Sequence, residues 1–518
     1  MTDWNQIYAA AFVGILGGLV SVHLKTSKRK PSAAVKGRSD TILFAVNTEY
    51  GLSNVHLATI FSLLRNHPNL KIHIASFPSF ASKVDRIRTY AGRQNSSSSN
   101  VVFHELPGPE FGPATMMPSE MIIRPPGIRS IDTVTKAVQV YLAPWTGEDH
   151  LRMHNFVRDL IRDLDPGVVA LDIFLRPAMD AARSERRLHA VLAPNVLADI
   201  FGSTQPWLSG LWKFPAMGSA HTFPIPWSSI TSNIYQAACF LYSMTFCPDQ
   251  ASKQKFLNDN GLLDPISYFN FHDPPLGHLI CQDTPNASIP LIRTPPNVTT
   301  TGPIAISVAT AEEQDPELAK WMNKAPTVLI NLGSFFRYDE ERARAMAGSL
   351  KVVLERTEVQ VLWKIMPNTE PVLEDGVWMP LVEDHVKSGK LRVEKWLSAD
   401  PLSLLETGHV VLSVHHGGAS SYHEAVSAGV PHLVVPAWLD CYNYAALAES
   451  FKLGVRGNHK AAPGISQDEL TEAFLTMLDG GPSCVEMRTN AKRLAKSIVR
   501  QGRDVAADKI AELAAGGH

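Results

Sequence analysis

The stretch that decides the fold lies at 396–445 and reads WLSADPLSLLETGHVVLSVHHGGASSYHEAVSAGVPHLVVPAWLDCYNYA. Within it, the apolar run HVVLSV (409–414) has the composition of a buried strand, and a helix is predicted near 421–428. The connecting segment HHGGASS (415–421) holds two glycines, which allow the backbone to approach a ligand closely. Free amides at a helix start, together with serine hydroxyls, form an anion site suited to phosphates.

A second feature of this stretch is an acid one turn into the predicted helix. The Glu424 carboxylate could accept hydrogen bonds from the hydroxyls of a ribose. Ser421 and Glu424 also match the S-x-x-E capping box, in which the acid only closes the end of the helix. His416, taken alone, is equally compatible with a structural role. The local pattern leaves the ligand-binding and capping interpretations open, and it favours capping because capping boxes are common.

Strand-like and helix-like runs alternate on both sides of this stretch. This alternation predicts parallel sheets with crossover helices, arranged as two Rossmann-like α/β domains that face each other across a cleft. Ligands of such sheets lie outside the carboxyl ends of the strands. The predicted strands are TILFAVN (41–47), KIHIASF (71–77), VVALDIF (168–174), AVLAPN (190–195), TVLINLGS (327–334), VQVLWKI (359–365), LRVEKW (391–396) and HLVVPA (432–437). The predicted helices lie at 55–67, near 339–357, and within 467–515.

Length and composition limit the class of protein. The chain has 518 residues, 45% of them hydrophobic and 19% charged, which indicates two globular domains. Its 48 basic and 50 acidic residues give no electrostatic reason to expect nucleic acid as a partner. The five cysteines are odd in number and lack metal-ligand spacing, so we expect neither a disulfide scaffold nor a metal site.

The N-terminal segment predicts a membrane anchor. Residues 7–24 contain no Asp, Glu, Lys or Arg, and a strongly basic stretch follows them. A length of 18 residues is near the lower limit for a spanning helix. A secretory signal would carry its positive charge first, whereas here the charge follows the apolar run. We therefore expect a single-pass anchor in a membrane of the endoplasmic reticulum type, with the later domains in the cytosol. A cleaved signal or a membrane-surface helix remains the alternative.

The central stretch resembles the signature of the family 1 UDP-glycosyltransferases. That signature opens with a Trp, continues through H-x-G-x-x-S-x-x-E and G-V-P, and ends with a Pro and an acid. The matching residues here are Trp396, His416, Gly418, Ser421, Glu424, Gly429, Val430, Pro431, Pro436 and Asp440. The resemblance extends to Gly333-Ser334 and to Pro295-Pro296-Asn297-Val298 with Gly302-Pro303.

The resemblance implies a GT-B fold. After the predicted anchor and basic linker at 1–40, it implies an acceptor domain at 41–305, a UDP-sugar domain at 306–480, and C-terminal helices at 481–518 that pack back toward the first domain. It also implies an inverting, metal-independent transfer of a hexose to a hydroxyl or carboxyl of a small lipophilic acceptor. The donor would be a UDP-sugar, with UDP-glucose as the first expectation, and no other cofactor is expected.

The same resemblance implies roles for individual residues. Trp396 would stack on uracil, and Glu424 would bind the ribose. The diphosphate would be held by Ser334, His416 and Ser421, within the turn that also contains Gly418 and Ser420. Asp440 and its neighbour Cys441 would face the sugar, although the family has Gln where this chain has Cys441. Two additional residues between Trp396 and His416 predict an altered uracil contact.

The sequence departs from the family pattern at the general base. The family has a His steered by an Asp, and Asp172 matches the Asp. Leu52 occupies the position of the His, and leucine cannot take a proton. His56, one helical turn further on, and Glu49, at the end of the first strand, are the candidate replacements. Acidic acceptors that need little help to lose a proton are a third possibility.

Two other functions compete with a transferase. A non-catalytic sugar-nucleotide-binding subunit is conceivable because of Leu52. A nicotinamide-dependent enzyme is disfavoured, because the loop after the first strand reads NTEYGLSN rather than G-x-G-x-x-G. The aromatic segment at 201–247 fits either the wall of an apolar acceptor pocket or ordinary core and surface helices.

Overall fold

The computed structural model describes residues 33–94, 101–115, 122–142, 144–245, 247–263, 265, 272, 275–366 and 376–516. The predicted anchor at 7–24 lies outside the described residues and stays a prediction. Within the ranges just given, none of the helices combines the length and the apolar character that a membrane span requires.

The first domain is built on a seven-stranded sheet in the order β3-β2-β1-β4-β5-β6-β7, with every pairing parallel. The middle strand (Pro166–Asp172) is buried on both faces because helices cover both sides of the sheet, so its run of apolar residues does not alternate with polar ones. The strands are β1 (Arg38–Ala45), β2 (Lys71–Ser76), β3 (Val101–Glu105), β4 (Pro166–Asp172), β5 (His189–Ala193), β6 (Gly277–Cys281) and β7 (Val298–Thr300).

The helices of the first domain connect these strands and extend beyond the sheet after β5. They are α1 (Tyr50–Asn66), α2 (Ala81–Gln94), α3 (Phe111–Thr115), α4 (Ile131–Leu142), α5 (Gly147–Leu164), α6 (Arg176–Ser184), α7 (Leu197–Phe201), α8 (Ser209–Trp212), α9 (Ile230–Thr245) and α10 (Pro248–Asp259). Short 3-10 turns occupy Pro78–Phe80, Gly127–Ser130, Gly202–Thr204 and Trp227–Ser229.

The second domain has a six-stranded parallel sheet in the order β10-β9-β8-β11-β12-β13. Its strands are β8 (Thr327–Asn331), β9 (Gln360–Lys364), β10 (Leu391–Glu394), β11 (Val410–His415), β12 (His432–Val434) and β13 (Gly454–Arg456). Its helices are α11 (Ala311–Gln314), α12 (Pro316–Met322), α13 (Glu340–Arg356), α14 (Met379–Lys387), α15 (Pro401–Leu405), α16 (Ala419–Ala428), α17 (Leu439–Ser450), α18 (Gln467–Leu478) and α19 (Pro482–Ser497).

The last helix, α20 (Gly502–Ala514), crosses back to the first domain. Its residues Ala506, Ile510 and Leu513 are part of the buried cluster that covers β1 and α1. Helix α19 instead packs on α16 of the second domain, where Leu494 shares a cluster with Val426. Of the region predicted to return at 481–518, the structure therefore places only the part after α19 on the first domain.

The two domains share a hydrophobic core as well as polar contacts. One buried cluster combines Val196 and Ala287 of the first domain with Tyr422 and Tyr444 of the second. The Tyr422 hydroxyl donates a hydrogen bond of 2.8 Å to the Ala287 carbonyl. The Val196 amide donates one of 3.2 Å to the Tyr444 hydroxyl. The interface therefore fixes the carboxyl edges of the two sheets relative to each other.

Candidate active site

The carboxyl edge of the second sheet brings three turns together. In the strand register, Asn331 pairs with His415 of β11 on one side and with Lys364 of β9 on the other. The chain order of the strands reverses between β8 and β11, so a crevice opens there beyond the strand ends. The segments that follow β8, β9 and β11 line this crevice.

The turn after β11 is shaped for close approach of a ligand. Gly417 has a φ of 88°, and a Cβ there would lie 2.5 Å from the Cys441 carbonyl oxygen, so only glycine fits. Gly418 is the N-cap of α16, and no side chain caps this helix. Ser421 is the third residue inside the helix, whereas a capping box would need it before the first residue. The capping interpretation is therefore wrong, and the first amides of α16 are open to a ligand.

His416 lies in a slot between two glycines. A Cβ at Gly333 would lie 2.5 Å from its Cε1, and a Cβ at Gly418 would lie 2.4 Å from its Nε2. The imidazole also packs against the Trp438 ring, with centroids 5.1 Å apart. Burial, with a smaller contribution from the Lys364 charge, lowers the pKa of His416 to about 3. The ring is therefore neutral at pH 7.

Two buried polar atoms in this turn have no protein partner among the described residues. They are Nδ1 of His416 and Oγ of Ser420. A buried donor or acceptor without a partner costs about 1–3 kcal/mol, so such atoms indicate a ligand that completes them. With the amides of α16 beside them, the arrangement fits an anion with several oxygens, such as a diphosphate.

Lys364 is a site residue that sequence reasoning missed. Its side chain is buried, and Nζ donates a hydrogen bond of 3.0 Å to the Gly333 carbonyl. Nζ also lies 3.9 Å from the centroid of the Trp396 ring. Burial lowers the pKa of Lys364 to about 8, with Arg337 adding to the shift and Glu424 opposing it. The crevice therefore holds an ammonium group that is mostly charged at neutral pH.

Trp396 stands at the mouth of the crevice with 43% of its surface exposed, as a nucleobase-stacking ring requires. Tyr50 reaches it from the first domain, with ring centroids 5.1 Å apart. Lys83 in turn lies 3.7 Å from the centroid of the Tyr50 ring. The predicted uracil position is thus contacted by both domains, and Tyr50 is a further residue that sequence reasoning did not single out.

Two acids line the second-domain side of the cleft. Glu424 is buried on α16, and burial raises its pKa to about 8, with Asp400 adding to the rise. Asp440 lies in the first turn of α17, and burial raises its pKa to about 6. Cys441 is about as buried as Glu424, with 1% of its surface exposed against 5%. Its contact with the sugar stays a prediction.

On the carboxyl edge of the first sheet, Asp172 accepts hydrogen bonds from the two residues Asn47 and Phe174. Ala45 of β1 pairs with Leu171 of β4, so the residues after them meet. The Asn47 side chain donates a hydrogen bond of 3.1 Å to Oδ1 of Asp172, and the Phe174 amide donates one of 2.9 Å to the same atom. Burial raises the pKa of Asp172 to about 7, and the Glu49 charge adds to the rise. Asn47 thus contacts the Asp that steers the base in the family.

Glu49 is the candidate base that the structure brings to this edge. Its Oε1 accepts a hydrogen bond of 2.6 Å from the Gly112 amide, and its Oε2 is buried without a partner among the described residues. Burial is the largest cause of its raised pKa, and Glu110 contributes. Leu52, at the family's base position, packs half-buried against the core. Glu49 therefore has a raised pKa and a carboxylate oxygen, Oε2, that accepts no hydrogen bond from the described residues.

His56 is not brought to the site. Its side chain is fully buried in α1, edge-on to the Phe44 ring at 6.2 Å between centroids. Neither ring nitrogen has a partner among the described residues, and burial lowers its pKa to about 3. The one-turn spacing from Leu52 is present, but α1 turns His56 toward the sheet, which argues against it as the base.

An aromatic group adjoins the two carboxylates of the first domain. Phe111 stacks on Tyr141 at 5.7 Å and contacts Trp145 and Phe174 at 5.9 and 5.8 Å between centroids. Burial, Asp440 and Glu49 all raise the pKa of Tyr141, so its phenol lies within electrostatic reach of both domains' acids. In the aromatic segment at 201–247, Phe201 and Phe214 lie in the core, whereas Trp207 and Trp227 are exposed.

Two parallel α/β domains, with an uncapped helix start at the carboxyl edge of one sheet and the acids Glu49 and Asp172 at that of the other, fit a nucleotide-sugar glycosyltransferase. No protein-family model matches the chain. The chain is 34% identical over 459 residues to glycosyltransferase sdnJ of Sordaria araneosa, covering 85% of this chain and 88% of the relative. It is 27% identical over 197 residues to UDP-glycosyltransferase 84B2 of Arabidopsis thaliana, covering 36% of this chain and 42% of the relative.

The fold is also that of solved UDP-glycosyltransferases. A UDP-glucosyltransferase from Polygonum tinctorium, capable of glucosylating indoxyl, superposes with a TM-score of 0.60 at 16% identity, covering 93% of this chain and 99% of that one. The predicted GT-B fold is confirmed. The chain belongs to the family 1 UDP-glycosyltransferases and is therefore an enzyme.

Proposed function

We propose that this enzyme transfers a hexose, with inversion and without a metal ion, to a hydroxyl or carboxyl of a small lipophilic acceptor. One observation carries the donor half of the proposal. The uncapped start of α16 adjoins two buried polar atoms that have no partner in the part of the chain that the structure describes, Nδ1 of His416 and Oγ of Ser420. A diphosphate would complete all of these groups at once, and UDP-glucose is the first donor to test.

The donor side would stabilise the leaving diphosphate. As the bond from the anomeric carbon to the phosphate oxygen breaks, negative charge grows on UDP. The amides and positive dipole end of α16, the neutral His416 and the Lys364 ammonium are aimed at this charge before the reaction starts. These groups supply the stabilisation that a divalent ion supplies in other transferases. Ser334 and Ser421 would contact the same oxygens.

The acceptor side would supply the proton acceptor. In our mechanism the acceptor oxygen attacks the anomeric carbon from the face opposite UDP, and Glu49 takes the proton from that oxygen. One displacement inverts the configuration. Burial and the Glu110 charge raise the pKa of Glu49, and the Glu49 charge raises the pKa of Asp172, which Asn47 holds in place. Phe111 and Tyr141 would hold a lipophilic acceptor beside it.

The alternative of a non-catalytic binding subunit rests on Leu52. Oε2 of Glu49 is buried and has no partner within the described ranges, which favours the enzyme, because a purely structural acid would have both oxygens paired. A general base contributes about 10²–10⁴ in rate, so its loss need not abolish turnover. An acceptor acidic enough to ionise unaided would react without a base.

Two measurements on the full chain test the proposal. Calorimetry with UDP should show binding that His416→Ala weakens sharply. UDP release from UDP-glucose should then be followed with a panel of phenols, sterols and hydroxy acids. Absence of UDP binding would overturn the donor site. Intact UDP binding without turnover on any acceptor or UDP-sugar would favour the non-catalytic alternative.

The membrane anchor is also a proposal. We infer from the charge distribution around residues 7–24 that they anchor the enzyme with both domains in the cytosol. A lipophilic acceptor that partitions into the same membrane would then be concentrated near the cleft.

A further inference from the structure

Large apolar side chains are exposed on one lobe of the first domain, which we define as residues 205–229. Trp207 is 78% exposed, Trp227 is 89% exposed, and Leu208 and Trp212 are about half exposed. An exposed apolar surface of this kind normally marks a binding site for a partner or a membrane.

Hydrogen bonds hold the backbone at Trp207 in a strained conformation. Trp207 and Leu208 have φ values of 58° and 54°, in the left-handed region that costs about 1–2 kcal/mol per residue. The Ser209 hydroxyl donates a hydrogen bond of 2.7 Å to the Pro206 carbonyl, and the Trp212 indole donates one of 3.1 Å to the Trp207 carbonyl. Strain that the surroundings hold in place is a reason to look for a function.

The second half of the lobe is tied to the first. The Ile225 amide donates a hydrogen bond of 3.2 Å to the Lys213 carbonyl, which brings the segment before Trp227 against the end of α8. The buried Asn233 side chain donates to the carbonyls of Leu211 and Phe214, at 3.0 and 3.1 Å. The exposed tryptophans therefore project from one connected unit.

We propose that this lobe docks on a lipid bilayer, with its tryptophans at the level of the headgroups. Tryptophan prefers that depth because its ring is apolar and its indole N–H stays hydrated. The lobe contains no Asp or Glu and one Lys, so nothing in it repels an anionic leaflet. A protein partner would not require this absence of acids.

The position of the chain entry supports a bilayer rather than another occupant. The Val35 amide donates a hydrogen bond of 2.8 Å to the Arg186 carbonyl, just before β5 begins, whereas the lobe follows the end of β5. Five residues of strand span about 17 Å. The ten residues 25–34 reach at most about 35 Å when extended. Because the linker is about twice as long as this strand, it can carry the predicted anchor at 7–24 from the amino edge of the sheet, where the chain enters, to the carboxyl edge from which the lobe follows.

A fluorescent label on the lobe tests the proposal in the full chain. In a Cys239→Ser background, whose other cysteines are buried, Trp227→Cys would carry an environment-sensitive dye. Val499→Cys, 93% exposed between α19 and α20, is the matched control. On reconstitution into phosphatidylcholine vesicles with some phosphatidylserine, we expect emission at 227 to shift to the blue and rise roughly two-fold or more, with no change at 499.

Other outcomes would overturn the assignment. No response at either position would show that the lobe stays in water, and an equal blue shift at 227 and 499 would show an effect of the vesicles that is not specific to the lobe. A response at 227 that needs no vesicles and grows with protein concentration would assign the surface to self-association. Emission at 227 that is already blue-shifted in dilute protein, without vesicles or detergent, would show that the chain's own first residues cover the lobe. Trp207→Cys repeats the measurement if the first variant does not show cooperative unfolding, and the test does not depend on the transfer reaction.

Discussion

The slot that holds His416 makes Gly418→Ala a sharp test of the donor site. The backbone at Gly418 has φ −67° and ψ 145°, which alanine adopts without strain. The added Cβ would lie 2.4 Å from Nε2 of His416, whereas ordinary contacts begin at 3.4 Å. The difference is about 1 Å, so the imidazole must move by about that distance. Replacing glycine by alanine at an N-cap costs about 1 kcal/mol, so the fold should survive.

A displacement of this size sets the expected loss of activity. A misplacement of about 1 Å in a reacting or positioning group can cost about 10²-fold in rate, which corresponds to about 2.7 kcal/mol. We therefore expect kcat/KM for the UDP-sugar to fall by about two orders of magnitude. The assay is UDP release under donor-limited conditions, with a urea unfolding midpoint measured beside it to show that the domain is intact.

A double-mutant cycle identifies the cause. If Gly418→Ala acts by moving the imidazole, it should have almost no effect in a His416→Ala background, because there is no ring left to move. A hundred-fold loss that persists in that background would refute the argument and would assign the effect to the backbone of the turn. Wild-type kcat/KM in Gly418→Ala alone would show that the position of His416 does not matter.

Three further predictions follow from charges and from the N-terminal segment. Because the pKa of Lys364 is about 8, its ammonium loses its proton as the pH rises through that value, and UDP affinity measured by calorimetry should fall above about pH 8. The Lys364→Arg variant should keep its UDP affinity above that pH. Identical pH profiles for the two proteins would contradict the role of Lys364. Glu49→Gln should lower kcat by about 10²–10⁴ with little change in UDP binding, and it should cost more than Asp172→Asn, whereas the reverse order would make Asp172 the base. A glycosylation reporter fused after His518 should stay unmodified if residues 7–24 anchor the chain as predicted, and luminal modification would reverse the orientation.

Much of the second domain could be predicted because its local signals agree with one another. The run HVVLSV, two glycines and a helix-like segment specify a strand, a tight turn and a helix, and β11 and α16 occupy those positions. The family's spacing of Trp396, His416 and Glu424 predicts a donor site, and the structure brings these residues to one sheet edge, where their roles stay predictions. The sequence could not show that the helix starts at Ala419, and this start excludes the capping box.

The strands that were missed are short or lie in segments without periodicity. β3 is a half-exposed edge strand directly after the serine-rich segment, and β6 lies in the Pro-rich passage that we interpreted as an interruption. Lys364 was missed for a different reason. A lysine at the end of a strand normally indicates a solvated charge, and only its place beside the Gly333 carbonyl shows that it faces the crevice. His56 was a candidate base because it lies one helical turn from Leu52. Helical spacing alone does not say which side of α1 faces the sheet, and His56 lies on that side.

The return of α20 to the first domain has a practical meaning for protein engineering. Exchanging donor domains between relatives is a common way to change sugar specificity, and the natural cut would separate the chain once, near residue 305. Here such a cut would remove Ile510 and Leu513 from the acceptor half and leave a gap beside β1. A working hybrid would need two junctions, the second among residues 498–501, so that the acceptor parent contributes both ends of the polypeptide.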